Sequence, residues 1–225
     1  MTIGPRSARD LPGRFITFEG VEGSGKSTQL AALGRALVER GLSVVTTREP
    51  GGTTLGEAVR QLVLDPRFTG MSARTELLLY GASRAEHVER VILPALASGA
   101  IVLCDRFSEA TLAYQAYGRG LPVDEIEVVV ALATGGLCAD LVLLLDLPVE
   151  EGLRRVGRRA LTNRLDLEPT VFHQRVRDGY LALAAREPTR IRLLDAGRPA
   201  EKVQRAILDV VESALRAHST PLGAG

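Results

Sequence analysis

The segment from Gly20 to Ser27 has the residue types and spacing of a loop that binds the phosphate groups of a nucleotide. It reads Gly20-Val21-Glu22-Gly23-Ser24-Gly25-Lys26-Ser27 and fits the pattern G-x-x-x-x-G-K-[ST]. In such a loop the lysine reaches the β- and γ-phosphates, and the hydroxyl of Ser27 can ligate Mg²⁺. The glycines let the backbone curl, so that successive N–H groups and a helix N-terminus face one phosphate chain.

The sequence on either side of this loop favours the same interpretation. An apolar run at Phe15–Phe18 predicts a strand before the loop, and Leu30, Leu33 and Leu37 predict one face of a helix after it. This order of strand, glycine loop and helix is the context that a phosphate loop requires. A chance glycine-rich segment is therefore disfavoured.

The composition predicts one ordinary globular domain. The chain has 225 residues, of which 45% are hydrophobic and 24% are charged. Its net charge of +1 argues against general nucleic-acid binding, which needs a strong excess of basic residues. We expect a domain over residues 14–218, with a flexible N-terminal tail at 1–13 that lacks the apolar core of a signal peptide and a flexible C-terminal tail at 219–225.

Two further features bear on the location of the protein. The most hydrophobic stretch, Val128–Leu147, is interrupted by Gly135 and Asp140, so we predict a buried helix followed by a buried strand and no membrane span. Cys104 and Cys138 lie in apolar runs and are expected to be free, buried thiols. Free thiols are typical of a reducing cytoplasm.

Short β-rich runs alternate with longer helical patterns along the chain. The predicted strands are Phe15–Phe18, Ser43–Thr47, Ala100–Cys104, Leu141–Asp146 and Ile191–Leu194. This alternation predicts an α/β fold, a doubly wound five-stranded parallel sheet flanked by helices. Ligands of such sheets bind beyond the carboxyl ends of the strands, so the residues there are the first candidates for chemistry.

Charged residues follow three of the predicted strands. Arg48 comes after the second strand, before a Pro-Gly-Gly turn, and is either a phosphate ligand or a solvated loop arginine. After the third strand, Asp105 could hold Mg²⁺ or its waters and Arg106 could bind a phosphate, unless the two form a structural ion pair. Asp146 ends the fourth strand and is either a metal-site aspartate or the cap of the next helix.

Two helical segments carry aromatic and polar side chains on one face. Within the helix predicted over residues 74–96, Tyr80 and Arg84 are four residues apart and could stack on and hydrogen-bond a planar base. The alternative is an amphipathic helix with a half-buried tyrosine. Thr111 and Tyr114 share a face of a short helix that follows the third strand.

A local cluster of positive charge lies between Gly152 and Arg164. It consists of Arg154, Arg155, Arg158, Arg159 and Arg164 and contains no acidic residue. A solvated face is the usual explanation of a charge run. Here a cationic flap over a nucleotide is favoured, because phosphoryl transfer needs more positive charge than one lysine and Mg²⁺ supply.

Together these features favour transfer of a phosphoryl group from ATP to a nucleoside monophosphate. The second pKa of a monophosphate is about 6, so at neutral pH its oxygen is already mostly a nucleophile and needs no general base. Catalysis would then consist of alignment and charge neutralisation.

Four motifs in order resemble the thymidylate kinase family. They are Glu19-Gly20-Val21-Glu22-Gly23-Ser24-Gly25-Lys26-Ser27-Thr28, Arg48-Glu49-Pro50-Gly51-Gly52-Thr53, Asp105-Arg106-Phe107 and Ala113-Tyr114-Gln115. The resemblance implies a P-loop kinase fold with a mobile lid at about 152–167. It also implies a cytoplasmic homodimer that uses ATP and Mg²⁺ to convert dTMP to dTDP.

The resemblance also implies roles for individual residues around the acceptor. Arg48 and Arg106 would bind its phosphate, and Arg106 would be catalytic as well. Tyr80 stands where the family usually has a phenylalanine that stacks on thymine. Arg84 would reach the base edge, and Thr111 would be a polar contact of the base.

Further implied roles concern the sugar and the metal. Tyr114 would crowd the sugar C2′ and so favour deoxyribose, and Gln115 beside it would also bind substrate. Glu22 would lie near the 3′-hydroxyl. Ser27 and Asp105 would be the metal-binding residues.

The remaining implied roles concern ATP and the lid. The ATP-binding residues would be Gly20, Val21, Glu22, Gly23, Ser24, Gly25, Lys26, Ser27, Thr28 and Arg154. Family members without a basic residue in the phosphate loop carry a catalytic arginine in the lid, so Arg159 joins Lys26 as a catalytic candidate. Arg154 or Arg155 would lie near the adenine. After the lid the chain reads Asn163-Arg164-Leu165-Asp166, where the family often has Asp-Arg-x-Glu.

Two rival functions are compatible with parts of this pattern. A kinase for another monophosphate or for a deoxynucleoside could use the same fold. A nucleotide-dependent switch is less favoured, because the sequence has no Asn-Lys-x-Asp motif and no Asp-x-x-Gly after the third strand.

Overall fold

The computed structural model describes residues 11–157 and 163–219, with side chains up to residue 216. Its strands are β1 Arg14–Glu19, β2 Val44–Arg48, β3 Ile101–Asp105, β4 Leu141–Asp146 and β5 Ile191–Asp195. Its α-helices are α1 Lys26–Glu39, α2 Thr54–Leu64, α3 Ala73–His87, α4 Leu93–Ala97, α5 Ser108–Thr111, α6 Val123–Thr134, α7 Val149–Val156, α8 Thr170–Arg186 and α9 Ala200–Ser219. Each strand begins and ends within one residue of the predicted bounds.

The five strands form one parallel sheet in the order β2-β3-β1-β4-β5, which confirms the predicted fold class. β1 lies at the centre, between β3 and β4. The chain runs from β1 to the edge strand β2, returns to β3, and then crosses β1 to reach β4 and β5. The register places Asp105 opposite Phe18 on one neighbouring strand and opposite Arg48 on the other. The motifs at the strand ends therefore meet at one edge of the sheet, beside the loop after β1.

The central strands are buried because helices cover the sheet. In β1 Phe15 and Phe18 are fully buried, and β4 is an almost continuous aliphatic run, as expected for strands covered on both faces. This core fixes the carboxyl ends of β1, β3 and β4. The chemistry-bearing residues at those ends thus rest on the most rigid part of the molecule.

Two helical segments contain π-helical turns. The segment predicted over residues 74–96 runs as α3, a π turn at Val88–Ile92 and then α4. A second π stretch, Leu112–Gly118, continues α5 and carries Tyr114 and Gln115. Such π turns occur frequently at functional sites, because the extra residue per turn changes the direction of neighbouring side chains.

The predicted buried helix before β4 is in fact largely exposed. In α6, Ile126 is fully buried, but Val128 and Leu132 are 68% and 83% exposed. Cys138 is exposed and only Cys104 is buried, although both are free thiols as expected. High hydropathy alone did not distinguish a buried helix from an amphipathic helix with an apolar outer side.

Three other observations refine the expectations. Asp146 does not cap α7, because the N-cap position is occupied by Pro148, and it pairs with Arg177 at 2.7 Å. Gly13, which the sequence analysis placed in the N-terminal tail, donates its N–H to the Leu96 carbonyl at 2.9 Å. Among the described helices, none combines the length and the apolar character needed to cross a membrane.

Candidate active site

A crevice of about 340 Å³ lies at the carboxyl edge of the sheet. It brings together fourteen of the residues that the sequence analysis singled out. These are Glu22, Gly23, Gly25, Lys26, Ser27, Thr28, Arg48, Tyr80, Arg84, Asp105, Arg106, Thr111, Tyr114 and Gln115. Gly20, Val21 and Ser24 belong to the same loop but do not line the crevice. Arg154 does not line it either.

The loop after β1 closes tightly against α7. Gly23 has a φ of 74°, and a Cβ there would collide with the backbone of Gly152. A Cβ at Gly152 would in turn collide with the carbonyl oxygen of Glu22. The two glycines therefore allow a backbone contact that fixes the shape of the loop.

Lys26 is the buried cation of this loop. Its Nζ donates to the carbonyl oxygens of Gly20 and Val21 at 3.0 and 2.9 Å. Burial, reinforced by the positive charge of Arg106, lowers the pKa of Lys26 to about 8. The N-terminus of α1 begins here without a capping side chain among the described residues, so its first N–H groups are available to an anion.

Two oxygen atoms suited to a hard cation lie beside Lys26. Ser27 Oγ donates to Asp105 Oδ2 at 2.6 Å, and both residues line the crevice. Hydroxyl and carboxylate oxygens are the ligand types that Mg²⁺ prefers. No cluster of three or more histidine, cysteine, aspartate or glutamate residues forms a ready-made metal cage in the described part of the chain.

Arg106 follows directly and occupies an unusual backbone conformation. Its φ is 72°, in the left-handed region that residues other than glycine seldom adopt. Its guanidinium lies 4.8 Å from the centre of the Tyr114 ring and donates from Nη2 to Glu22 Oε1 at 3.0 Å. Strained backbone of this kind is usually found where surrounding structure holds a functional side chain in place.

Glu22 is the point where these groups converge. Its Oε1 also accepts from the Tyr114 hydroxyl at 2.5 Å, and His173 Nδ1 lies 3.4 Å from its Oε2. Burial alone would raise the pKa of Glu22, but Arg106, His173 and Lys26 outweigh it and lower that pKa. Glu22 is therefore a carboxylate that stays charged in the interior of the site.

Arg84 lines the crevice and is held by a buried network. Its Nε donates to Glu49 Oε2 at 2.7 Å and its Nη1 donates to Thr111 Oγ1 at 2.8 Å. The other oxygen of Glu49 lies 2.9 Å from His87 Nδ1, and His87 Nε2 lies 2.7 Å from Thr47 Oγ1. Tyr80, half-buried one turn before Arg84, shares the same face of α3 and lines the crevice.

A second buried carboxylate, Glu76, lies one turn before Tyr80. It accepts from Gln115 Nε2 at 2.7 Å and from Arg119 Nη2 at 3.0 Å, and it pairs with Arg164. Arg164 also donates from Nε to the Val63 carbonyl at 2.9 Å. Arg164 is therefore buried and fixed on both sides, and Glu76 holds the amide of Gln115 at the wall of the crevice.

The arginines of the expected lid do not form one cluster in the described part of the chain. Arg154 and Arg155 belong to α7 and pair with Glu151 at 2.8 Å. Arg159 lies outside the described residues. Arg48 lines the crevice while its Nη2 is held by Glu57 at 2.9 Å, which leaves the N–H groups of Nη1 and Nε for a further partner.

Sequence reasoning missed three residues of the site. Glu49 was quoted in a motif without a role, although its position after a strand end was a usable signal. Glu76 has the same four-residue spacing to Tyr80 that singled out Arg84, so the helical face could have revealed it. Arg60 lines the crevice and donates to the Pro50 carbonyl at 3.1 Å, and no local pattern marks it.

The chain is similar to known proteins over most of its length. A sequence model of the family described as thymidylate kinase matches residues 18–207. A thymidylate kinase of Pseudomonas putida is 54% identical over 193 residues, which cover 86% of this chain and 93% of the relative. One from Trichlorobacter lovleyi is 50% identical over 207 residues, which cover 89% and 98% respectively.

A solved structure extends the likeness to three dimensions. The crystal structure of a thymidylate kinase from Ehrlichia chaffeensis superimposes with a TM-score of 0.73 at 34% sequence identity. The match covers 89% of this chain and 98% of that one.

Proposed function

This chain belongs to the thymidylate kinase family and phosphorylates dTMP to dTDP, and we propose that ATP and dTMP meet end to end in the crevice at the carboxyl edge of the sheet. One observation carries the proposal. Lys26 and Arg106 line the same crevice, together with the hydrogen-bonded pair Ser27 and Asp105. Two anionic ligands brought together there would have cations at the point where their phosphates repel each other.

In this proposal the loop from Gly20 to Thr28 holds the phosphates of ATP. The backbone N–H groups at the start of α1 would bind the phosphate oxygens, and Lys26 would exchange the Gly20 and Val21 carbonyls for phosphate. The phosphate would keep Lys26 fully charged, because a nearby anion favours the charged form of a lysine.

The acceptor half of the crevice would bind dTMP through side chains. Arg106 and Arg48 would hold the phosphate, Tyr80 would stack on thymine, and Arg84 with Thr111 would hydrogen-bond the base. Arg84 can do so because Nη1 and Nη2 each carry a second N–H beyond the bonds to Thr111 and Phe107.

The sugar would lie between the phosphate and the base. Tyr114 and Glu22 are joined at 2.5 Å and line the crevice, so the ring would crowd C2′ while the carboxylate faces the 3′-hydroxyl. Gln115 donates a hydrogen bond from Nε2 to Glu76, so its side-chain carbonyl oxygen would be available to the substrate.

The site also fits a magnesium ion. Ser27 Oγ and Asp105 Oδ2 are close enough to serve one cation, and phosphate oxygens and water would supply its other ligands. When bound, such an ion supplies positive charge to the phosphoryl group being transferred. Lys26 and Arg106 would share that task and align the two phosphates.

We keep Arg159 as the catalytic lid arginine and Arg154 as an adenine-side residue. Arg159→Ala should lower kcat by about 100-fold with a smaller rise in KM, because a lid arginine acts mainly in the transition state. Steady-state kinetics would check this. A rise in KM alone would point to Arg155 or Arg158 instead.

We also propose that the protein is a cytoplasmic homodimer. Val128 and Leu132 share the exposed side of α6, and Leu78 is 61% exposed on α3, which packs against α6. An apolar patch on adjacent helices fits a second copy of the chain better than water. Leu132→Glu should convert the dimer to a monomer in sedimentation, with Asp124→Glu at the start of the same helix as the control.

A panel assay tests the central function. The protein is incubated with Mg-ATP and, one at a time, dTMP, dUMP, UMP, dCMP and dGMP, and the diphosphates formed are identified. We expect dTDP to form with the highest kcat/KM. Faster turnover of another monophosphate would reject the assigned acceptor, and no diphosphate from any of them would reject the reaction.

A further inference from the structure

Tyr180 and Glu19 form a buried pair next to Arg106, and neither of them lines the crevice. We propose that the Tyr180 hydroxyl, oriented by Glu19, is a positioning group that keeps Arg106 directed at the acceptor phosphate. The inference rests on the proposed function, in which Arg106 binds that phosphate. It adds two residues, from β1 and α8, to the machinery for recognising the acceptor.

The hydrogen bonds around Tyr180 run in one direction. Tyr180 donates its only hydroxyl proton to Glu19 Oε2 at 2.8 Å and accepts from Arg106 Nη1 at 3.1 Å. Glu19 Oε1 in turn accepts the backbone N–H of Phe107 at 2.7 Å. Because the phenol proton is used by Glu19, the oxygen lone pairs remain for the guanidinium.

Arg106 needs such a support because its other contacts face the substrate. Glu22 and Tyr114, which hold its Nη2 and its guanidinium plane, both line the crevice and are proposed to contact the sugar. A long arginine side chain on a left-handed backbone has several alternative rotamers. Tyr180 fixes one guanidinium nitrogen from outside the crevice, so Arg106 keeps its direction whether or not the sugar is bound.

The ring of Tyr180 fills space in the core, whereas its buried hydroxyl makes the two hydrogen bonds. Tyr180 is 2% exposed and Glu19 is fully buried, and the ring of Tyr180 packs edge-on against Tyr114 at 6.3 Å. A phenylalanine ring would fill the same space. Burial, with repulsion from Glu109, raises the pKa of Glu19 to about 7, so this carboxyl is kept in the interior against a cost in free energy.

The variant Tyr180→Phe tests the proposal by binding. Calorimetry would measure the Kd of dTMP and of thymidine, which has the same base and sugar but no phosphate. We expect the Kd of dTMP to rise about tenfold and that of thymidine to stay within about twofold, because only the phosphate needs Arg106. Tyr117→Phe is the matched control, because the ring of Tyr117 packs against Gly179, the neighbour of Tyr180 on α8. It should leave the Kd of dTMP and the Kd of thymidine unchanged.

Three results would overturn the proposal. Equal weakening of dTMP and thymidine would mean that Tyr180 only supports the fold, and unchanged Kd values would mean that its hydroxyl does not position Arg106. Either result leaves the proposed function intact if the wild-type protein binds dTMP more tightly than thymidine. A wild-type protein that binds both equally would instead reject the phosphate role of Arg106, and this proposal with it.

A double-mutant cycle tests the part played by Glu19. Glu19→Gln should weaken dTMP binding in the wild-type background. The amide of glutamine places an NH₂ donor against either the Tyr180 hydroxyl or the Phe107 N–H, and both of these are donors to Glu19. In the Tyr180→Phe background the same substitution should change the Kd by less than about twofold. If the fold-increases in Kd of the two single variants simply multiply in the double variant, Glu19 does not act through Tyr180. Thermal melting of each variant checks that it is folded.

Discussion

The two halves of the crevice are built in different ways. The half that we propose for ATP, called here the nucleotide half, is one continuous segment, Gly20–Thr28, which supplies backbone groups and one lysine. The acceptor half is assembled from β2, α3, β3 and the π stretch, and its side chains are held by buried carboxylates such as Glu49 and Glu76. Local backbone geometry makes the first half, and long-range ion pairs make the second.

This difference implies different energetic roles for the charged residues. Lys26 is buried against carbonyl oxygens and its pKa is lowered to about 8, so its charge costs free energy in the absence of ligand. Arg84 and Glu49 are almost fully buried and paired at 2.7 Å, so removing one leaves the other as an uncompensated buried charge. Variants of the first half should lose catalysis, and variants of the second should lose stability as well.

The largest effect is expected for Lys26→Ala. Loss of the cation that stabilises transition-state charge should lower kcat about 1,000-fold. The melting temperature should not fall, because the substitution removes a desolvated charge. Steady-state kinetics and thermal melting would measure the two effects together.

The chain offers a matched control for this variant. Lys202, exposed on α9, is its only other lysine, and Lys202→Ala should leave both quantities unchanged. Near-normal turnover in folded Lys26→Ala protein would contradict the division of roles between the two halves.

The next effect is expected for Glu49→Gln in the acceptor half. Arg84 and His87 would lose their shared carboxylate, and the free energy of unfolding should fall by about 3 kcal/mol. The KM for dTMP should rise, because Arg84 would no longer be fixed towards the base. Chemical denaturation and kinetics would check both effects.

Glu86→Gln on α3 is the control for that prediction. Its ion pair with Arg90 is long and solvent-exposed, so the change in stability should be below about 0.5 kcal/mol. If the two variants lose the same stability, buried charge does not hold the acceptor half together.

The same contrast explains what the sequence could predict. Strand order along the chain and the rule that parallel strands present their carboxyl ends at one edge were enough to bring Lys26, Asp105 and Arg106 together. The pairing of Glu49 with Arg84 spans 35 positions and that of Glu76 with Arg164 spans 88, so neither leaves a local pattern. The exposed side of α6 was missed because hydropathy does not report which apolar side chains face outward.

A smaller effect is expected for Tyr114, which belongs to the acceptor half. Tyr114→Ala should reduce the preference for dTMP over its ribonucleotide counterpart by about tenfold, because the space beside C2′ would open. Tyr114→Phe keeps the ring and removes only the bond to Glu22, so it should retain the preference. Measured kcat/KM values for the two monophosphates would decide, and an unchanged preference in Tyr114→Ala would reject steric exclusion by the ring.

The smallest effect is a proton taken up when ATP binds to the nucleotide half. The pKa of Lys26 is lowered to about 8, so at pH 8 about half of the free protein has a neutral lysine, and bound phosphate should recharge it. Calorimetry in two buffers of different ionisation enthalpy should therefore show an uptake of about 0.5 proton at pH 8, falling towards zero below pH 7. Lys26→Arg, which stays charged, should abolish the uptake. The pKa of Lys26 is lower in the folded protein than in the unfolded chain, so the folded protein becomes more stable as pH rises between the two values. The wild-type protein should therefore also become more stable relative to Lys26→Ala between pH 8 and about 10.4. Absence of both effects would mean that Lys26 is not strained by burial, and the two halves would then differ only in how they are assembled.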